Sequence, residues 1–246
     1  MKLYHGTSAS VARLAVRQGL RTRKSTGVAG NWDKCPSRPD QIYLTNAYAG
    51  YFAGCAAEKG EAWALIEVET DRLDEDAFVP DEDFLEQMTR MTGASMRDLG
   101  LPDGSGVLQR TGWFRKHILL FQHLWRDSLE RLGNCAYKGN IPAKAITRIV
   151  LFDPKSNPSM ALVAMDPVIS ILNYHFMASK YDALTRWLMG DEVAPEEIFD
   201  CTAVMHHGEF IHALSPPDKL KAALETRRQI LSDRSGWTLL KNAEAA

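Results

Sequence analysis

Met1-Lys2-Leu3-Tyr4-His5-Gly6-Thr7-Ser8 is the stretch whose reading decides the fold. It is a short apolar strand that runs directly into an imidazole, a glycine and two hydroxyl side chains. Further on, a second apolar strand, Ile42-Tyr43-Leu44-Thr45, leads at once into a small-residue helix carrying Tyr48 and Tyr51. A polar ring at a strand end, a glycine that lets a ligand approach the backbone, and tyrosines nearby suit a flat, charged-ring ligand. Neither GxGxxG nor GxxxxGK[ST] occurs, so Rossmann and P-loop nucleotide binding have no motif support.

Working outward, Ser8 or Ser10 is placed to cap a helix over 10–18, which Gly19 ends. Residues 21–40 read as a long loop of the kind that covers or binds ligands. Asn46 caps a helix over 47–57, and 62–69 form a strand with a nearly continuous apolar first half. The acidic run 71–83 reads as a solvated loop with a helix starting at Asp83 and running over 84–91. Phe114, Ile118, Phe121, Trp125, Leu129 and Leu132 step by three and four, which predicts one helix over 113–132 stopped by Gly133. Cys135–Lys138 and Ile146–Phe152 read as a strand pair joined through Gly139 and Pro142.

Asp153-Pro154-Lys155-Ser156-Asn157-Pro158 marks a boundary, after which the pattern turns helical. One helix is expected from Asp166-Pro167 to Gly190, a shorter one near Pro195, and a last one opened by Ser215-Pro216-Pro217. The expectation is an α+β protein with a core domain at 1–153 and a helical C-terminal region at 154–246.

Over 246 residues, 45% apolar and 24% charged side chains with a net charge of −2 describe a soluble globular chain, not one held to nucleic acid by overall charge. A local basic patch is compatible with that balance: Arg13, Arg17, Arg21, Arg23 and Lys24 are either a solvated helix face or phosphate contacts. Cys35, Cys55, Cys135 and Cys201 show no CxxC spacing, which predicts reduced thiols. With no signal-peptide pattern and no apolar run of membrane-spanning length, a cytoplasmic location without membrane association is expected. His206, His207 and His212, with Cys201 and Glu209, fit no zinc spacing, so no metal is expected. Gly104-Ser105-Gly106 lacks the flanks of a nucleophile elbow.

Leu3-Tyr4-His5-Gly6-Thr7-Ser8, then Ile42-Tyr43-Leu44-Thr45, then Ala47 followed by Tyr51, resembles the ADP-ribosyltransferase fold of the diphtheria-toxin and poly(ADP-ribose) polymerase branch. That branch carries a His-Tyr-Glu signature on a split antiparallel β-sheet that clamps NAD. The resemblance covers about residues 1–153 and rests on the order and spacing of short motifs. It implies NAD as co-substrate, with His5 on the adenosine-side ribose and the Gly6 backbone on the nicotinamide carboxamide. Thr7 and Ser8 would add hydroxyl contacts, and Tyr43 and Tyr51 would sandwich the nicotinamide ring. His5 and Tyr43 would be the catalytic pair. A carboxylate would stabilise the charge that develops on the ribose as nicotinamide leaves, as in glycoside hydrolysis.

This sequence departs from the family at that last point. The strand Asn134–Gly139 contains no acid, leaving the Asp81-Glu82-Asp83 cluster or Glu130 as substitutes. The resemblance therefore implies a toxin-like bacterial mono-ADP-ribosyltransferase acting on a protein or nucleic-acid acceptor. An NAD-dependent RNA 2′-phosphotransferase drawing on Arg13, Arg21 and Arg23, or a non-catalytic nucleotide-binding or protein-interaction module, are the alternatives. Beside these stand plainer readings: His5 as a structural hydrogen-bonding residue, Gly6-Thr7-Ser8 as a turn and helix cap, and Tyr43 and Tyr51 as core aromatics.

Overall fold

The computed structural model describes residues 1–29, 37–92, 98, 100–101, 105–165, 179–193, 197, 203–206, 209–212 and 216–242. The protein is α+β, built on a seven-stranded sheet in which every neighbouring pair is antiparallel. Its strands are β1 (Lys2–Ser8), β2 (Gln41–Thr45), β3 (Trp63–Glu69), β4 (Phe78–Pro80), β5 (Asn134–Lys138), β6 (Ile146–Phe152) and, after the separate hairpin β7 (Ala203–His206) and β8 (Glu209–His212), β9 (Trp237–Asn242). Across the sheet the order is β4-β5-β2-β1-β3-β6-β9.

Alternation along the central strands sends apolar side chains to both faces, so both must be covered. Leu3, Ile42, Leu44, Ile66, Val68, Cys135 and Ile149 point to one face. There they meet α1 (Ala9–Gln18), whose Ala9, Ala12 and Ala15 form a thin stripe that lets the helix lie close to the strands. The Ser8 hydroxyl caps α1 by accepting from Val11 N, and Gly19 ends it at φ 73°. A side chain at Gly19 would collide with the Ile141 carbonyl, 2.0 Å from the Cβ position.

On the opposite face Tyr4, Leu65, Val150 and Phe152 pack against α3 (Ala49–Ala56), α7 (Pro158–Met165), α8 (Ser179–Leu188) and Leu231 of α9 (Pro217–Ser232). A third cluster, with Val79, Phe84, Phe114, Ile118 and Ala136, covers the β4–β5 end under α4 (Glu82–Thr92), α5 (Val107–Lys116) and α6 (Trp125–Leu132). Between Thr22 and Gly27 lies the one-turn helix α2 (Arg23–Thr26).

The structure corrects several expectations. Residues after 153 are not only helical: β9 returns to the main sheet and pairs with β6 from Phe152↔Trp237 to Arg148↔Asn242. The apolar stepping over 113–132 is not one helix but α5, a 3₁₀ segment Ile118–Leu124, and α6. A 3₁₀ turn keeps side chains three apart on one side, so the same spacing survives the change of helix type. Strands β5 and β6 are not partners, since β2, β1 and β3 lie between them. The acidic run contains β4, and α4 begins at Glu82 with Asp81 and Glu82 buried. α3 has no side-chain cap from Asn46; the turn before it is held by Thr45, whose hydroxyl accepts from Ala47 N and Tyr48 N at 3.0 Å each. Of the helix expected from Asp166 to Gly190, residues 179–190 fall within the described ones and are helical over Ser179–Leu188, and Pro195 lies outside them.

Candidate functional site

Strand β1 pairs with β3 along its whole length, from Lys2↔Glu69 to Ser8↔Trp63. Toward β2 its pairing is confined to Tyr4↔Thr45. In an antiparallel ladder, alternate residues turn both backbone polar groups to the same neighbour. Thr70 N donates to Met1 O and Ala9 N to Ala62 O, both at 2.9 Å, so odd-numbered positions address β3. Even-numbered Tyr4, Gly6 and Ser8 address β2.

If the Tyr4↔Thr45 register continued, Gly6 would exchange hydrogen bonds with Tyr43. Instead the Tyr43 carbonyl oxygen lies 2.9 Å from His5 Nδ1. The imidazole occupies the ladder position, and the Gly6 N–H and C=O face the opening where the strands part. A carbonyl can only accept, so Nδ1 carries the proton and Nε2 is left with its lone pair. Burial lowers the His5 pKa below its ordinary value against the opposing pull of the Tyr43 bond, so the ring is neutral at pH 7.

The Tyr43 ring extends from the same residue in the other direction. Its hydroxyl donates to Glu82, at 3.0 Å from Oε1 and 2.8 Å from Oε2, and accepts from Arg38 N at 3.3 Å. Burial, with the charges of Glu82 and Asp81 added, holds the Tyr43 pKa far above its usual value, so the phenol keeps its proton. Arg115 Nε donates to the same carboxylate at 3.0 Å. Of the acidic cluster singled out from the sequence, Glu82 is thus the member bonded to Tyr43. Asp81 instead accepts from Asp83 N at 2.8 Å at the start of α4. Its own N–H donates to Ser128 Oγ at 3.0 Å.

The remaining sequence-derived residues divide. Gly6 lies on β1 beside the opening, and its lack of a side chain serves helix packing: a Cβ would stand 2.0 Å from Ala49 O and 2.5 Å from Ala53 N. Thr7 is buried, and Ser8 is engaged as the α1 cap and with Ser10 Oγ at 2.8 Å. Ser8 therefore already has a structural partner, as the plainer reading held. Tyr51 does not close a sandwich with Tyr43 over Gly6. Ala49 and Ala53 form the face of α3 that meets Gly6, and at about 100° per residue Tyr51 projects from the opposite side. Its ring packs on Phe52 at 5.4 Å, and its pKa is pushed up to about 12 by burial and by a hydrogen bond to Cys55. On β5, Ala136 stands opposite Tyr43 and is fully buried, so this sheet position offers no carboxylate.

Sequence reading missed three of the four cations nearest this network, Arg38, Arg115 and Lys116. Lys24, Arg38, Arg115 and Lys116, with Asp40, line a cavity of about 490 Å³. They come from three distant segments, and no local run announces them. Arg38 grips Asp40 through Nε and Nη2, each at 2.9 Å, which holds the Asp40 carboxyl below the usual range, and its Nη1 donates to Arg115 O at 2.8 Å. Of the basic cluster proposed from sequence, Arg23 donates to Ser37, Arg13 and Arg21 are exposed, and Lys24 alone reaches the cavity. His206, His207, His212 and Cys201 have side chains outside the described residues.

No family model and no curated relative matches the chain. Among solved structures it is similar to EcPltA at 12% identity and a TM-score of 0.31, over 61% of this chain and 75% of that one. No helix among the described residues is long and apolar enough to cross a membrane.

Proposed function

We propose that the protein is an NAD-dependent mono-ADP-ribosyltransferase that modifies a macromolecular acceptor, protein or nucleic acid, in a bacterial-type cytosol. The observation that carries this reading is the convergence of His5, Gly6 and Tyr43 where β1 and β2 part. The Gly6 N–H and C=O at the opening form a donor–acceptor pair that matches a carboxamide. His5 Nε2 is a fixed acceptor for a ribose hydroxyl, and the Tyr43 carbonyl holds the imidazole in that orientation. NAD supplies the ADP-ribosyl group: its bond to nicotinamide breaks, the acceptor nucleophile bonds to the same ribose carbon, and the nucleophile's proton is released. Glu82 takes the place of the acid absent from β5, held in position by the Tyr43 hydroxyl and Arg115.

Incubation with NAD and chromatographic detection of nicotinamide tests this. The wild type should release nicotinamide and His5→Ala should not; no calorimetric affinity for NAD in the wild type would overturn the proposal. A second reading, a nucleotide-binding module without turnover, is favoured by Ala136 at the position opposite Tyr43. Tight NAD binding with no nicotinamide released would select it.

A further inference from the structure

The cavity against α5 has a charge pattern that asks for an anion. Four cations and one carboxylate line it, in a chain whose net charge is −2. Arg38 is matched by Asp40 and Arg115 by Glu82. Lys24 and Lys116 have no ion pair with any described residue, and they face one space from α2 and from the last turn of α5. Both lysines are exposed, so their ammonium groups are free to reach a phosphate placed between them.

The cavity's position ties it to Tyr43. Arg38 N donates to the Tyr43 hydroxyl, and Arg115 shares Glu82 with that hydroxyl. The opening at Gly6 lies at the backbone end of the same tyrosine, so the two spaces adjoin opposite ends of one residue. The concavity is widely open to solvent, so an extended strand can lie across it.

Building on the transferase reading, we propose that this cavity is the acceptor subsite and that it takes a backbone phosphate of a single-stranded nucleic acid. Lys24 and Lys116 contact the phosphate, and the Arg38–Asp40 and Arg115–Glu82 pairs fix the walls. The acceptor is thereby nucleic acid and not protein.

The test is fluorescence anisotropy of a labelled single-stranded oligonucleotide across a salt series, with wild type, the Lys24→Glu/Lys116→Glu double variant and the milder Lys24→Ala/Lys116→Ala. For every phosphate charge that a variant no longer neutralises, the slope of log affinity against log salt should shrink by about 0.7. The charge-reversed variant should bind at least about tenfold more weakly at low salt. Unchanged affinity and slope in both variants, or no binding by the wild type, would overturn the assignment. So would a loss confined to calorimetric affinity for ADP-ribose, which would give the cavity to the dinucleotide's own phosphates. His5→Ala separates the two proposals. If it and the wild type both bind the oligonucleotide and neither binds NAD, the transferase reading sinks and the phosphate subsite stands.

Discussion

The imidazole Nδ1 of His5 donates to the main-chain carbonyl of Tyr43 across 2.9 Å, so a side chain makes the bond that the next rung of the β1–β2 ladder would have made. One residue thereby opens the sheet and fixes its own tautomer.

That bond has a pH signature. His5 is half-buried with its folded pKa below the unfolded value of about 6.5, so above pH 6.5 the ring is neutral in both states and its contribution is complete. Below that pH the unfolded chain takes up the proton first, and stability falls as pH drops toward the folded pKa. Urea unfolding at pH 7.5, 6 and 5 should show a decline in midpoint that is shallower in His5→Gln. Parallel declines in the two proteins would remove His5 as a source of the pH dependence.

Glu82→Gln should separate the acidic cluster's members. It leaves Arg115 facing a neutral amide and weakens the bond from Tyr43, costing about 1–3 kcal/mol of stability. On the transferase reading it should also lower kcat for nicotinamide release by about 100-fold with little change in KM for NAD. Asp81→Asn, at the start of α4, should disturb stability more than kcat. Equal kcat effects from the two substitutions would deny Glu82 its special place.

Gly6→Ala tests why that position is glycine. A methyl group there meets the Ala49 carbonyl and Ala53 amide at impossible distances, so α3 must shift off β1. A loss at or above the upper end of about 1–3 kcal/mol is expected in chemical denaturation. A stable variant that merely loses NAD affinity would mean the helix can yield and the glycine serves the ligand alone.

Trp237 anchors the last strand to the sheet. Its ring lies 4.9 Å from Phe152 and 5.0 Å from Trp187, and its Nε1 donates to Leu188 O at 2.8 Å. Because it is only half-buried, Trp237→Ala should cost about 2–3 kcal/mol, less than a fully enclosed tryptophan. Differential scanning calorimetry should show Tm lower by about 4–12 °C.

Strands β1, β2 and β3 were legible because short apolar runs bounded by turn residues are local signals. Strand β4 was not: Phe78-Val79-Pro80 is three residues long and bordered by carboxylates, too short for any period to register. The break between α5 and α6 was hidden because Phe114, Ile118 and Phe121 keep helical spacing through the 3₁₀ turn. Tyr51 was drawn into the site by its proximity to Tyr43 in sequence, whereas α3 is held to β1 by Ala49 and Ala53. The cations of the cavity could not be grouped in advance, because only the folded sheet brings residues 24, 38 and 115–116 together.

The return of residues 237–242 to β6 has a bearing on biosynthesis. During translation, the outer rim of β6 exposes unsatisfied amide and carbonyl groups from the moment it emerges until residue 242 has followed it. A nascent chain stalled in that interval would present a sticky border to its neighbours on the polysome. Once β9 has docked, the border passes to β9 itself, the terminal strand of the sheet.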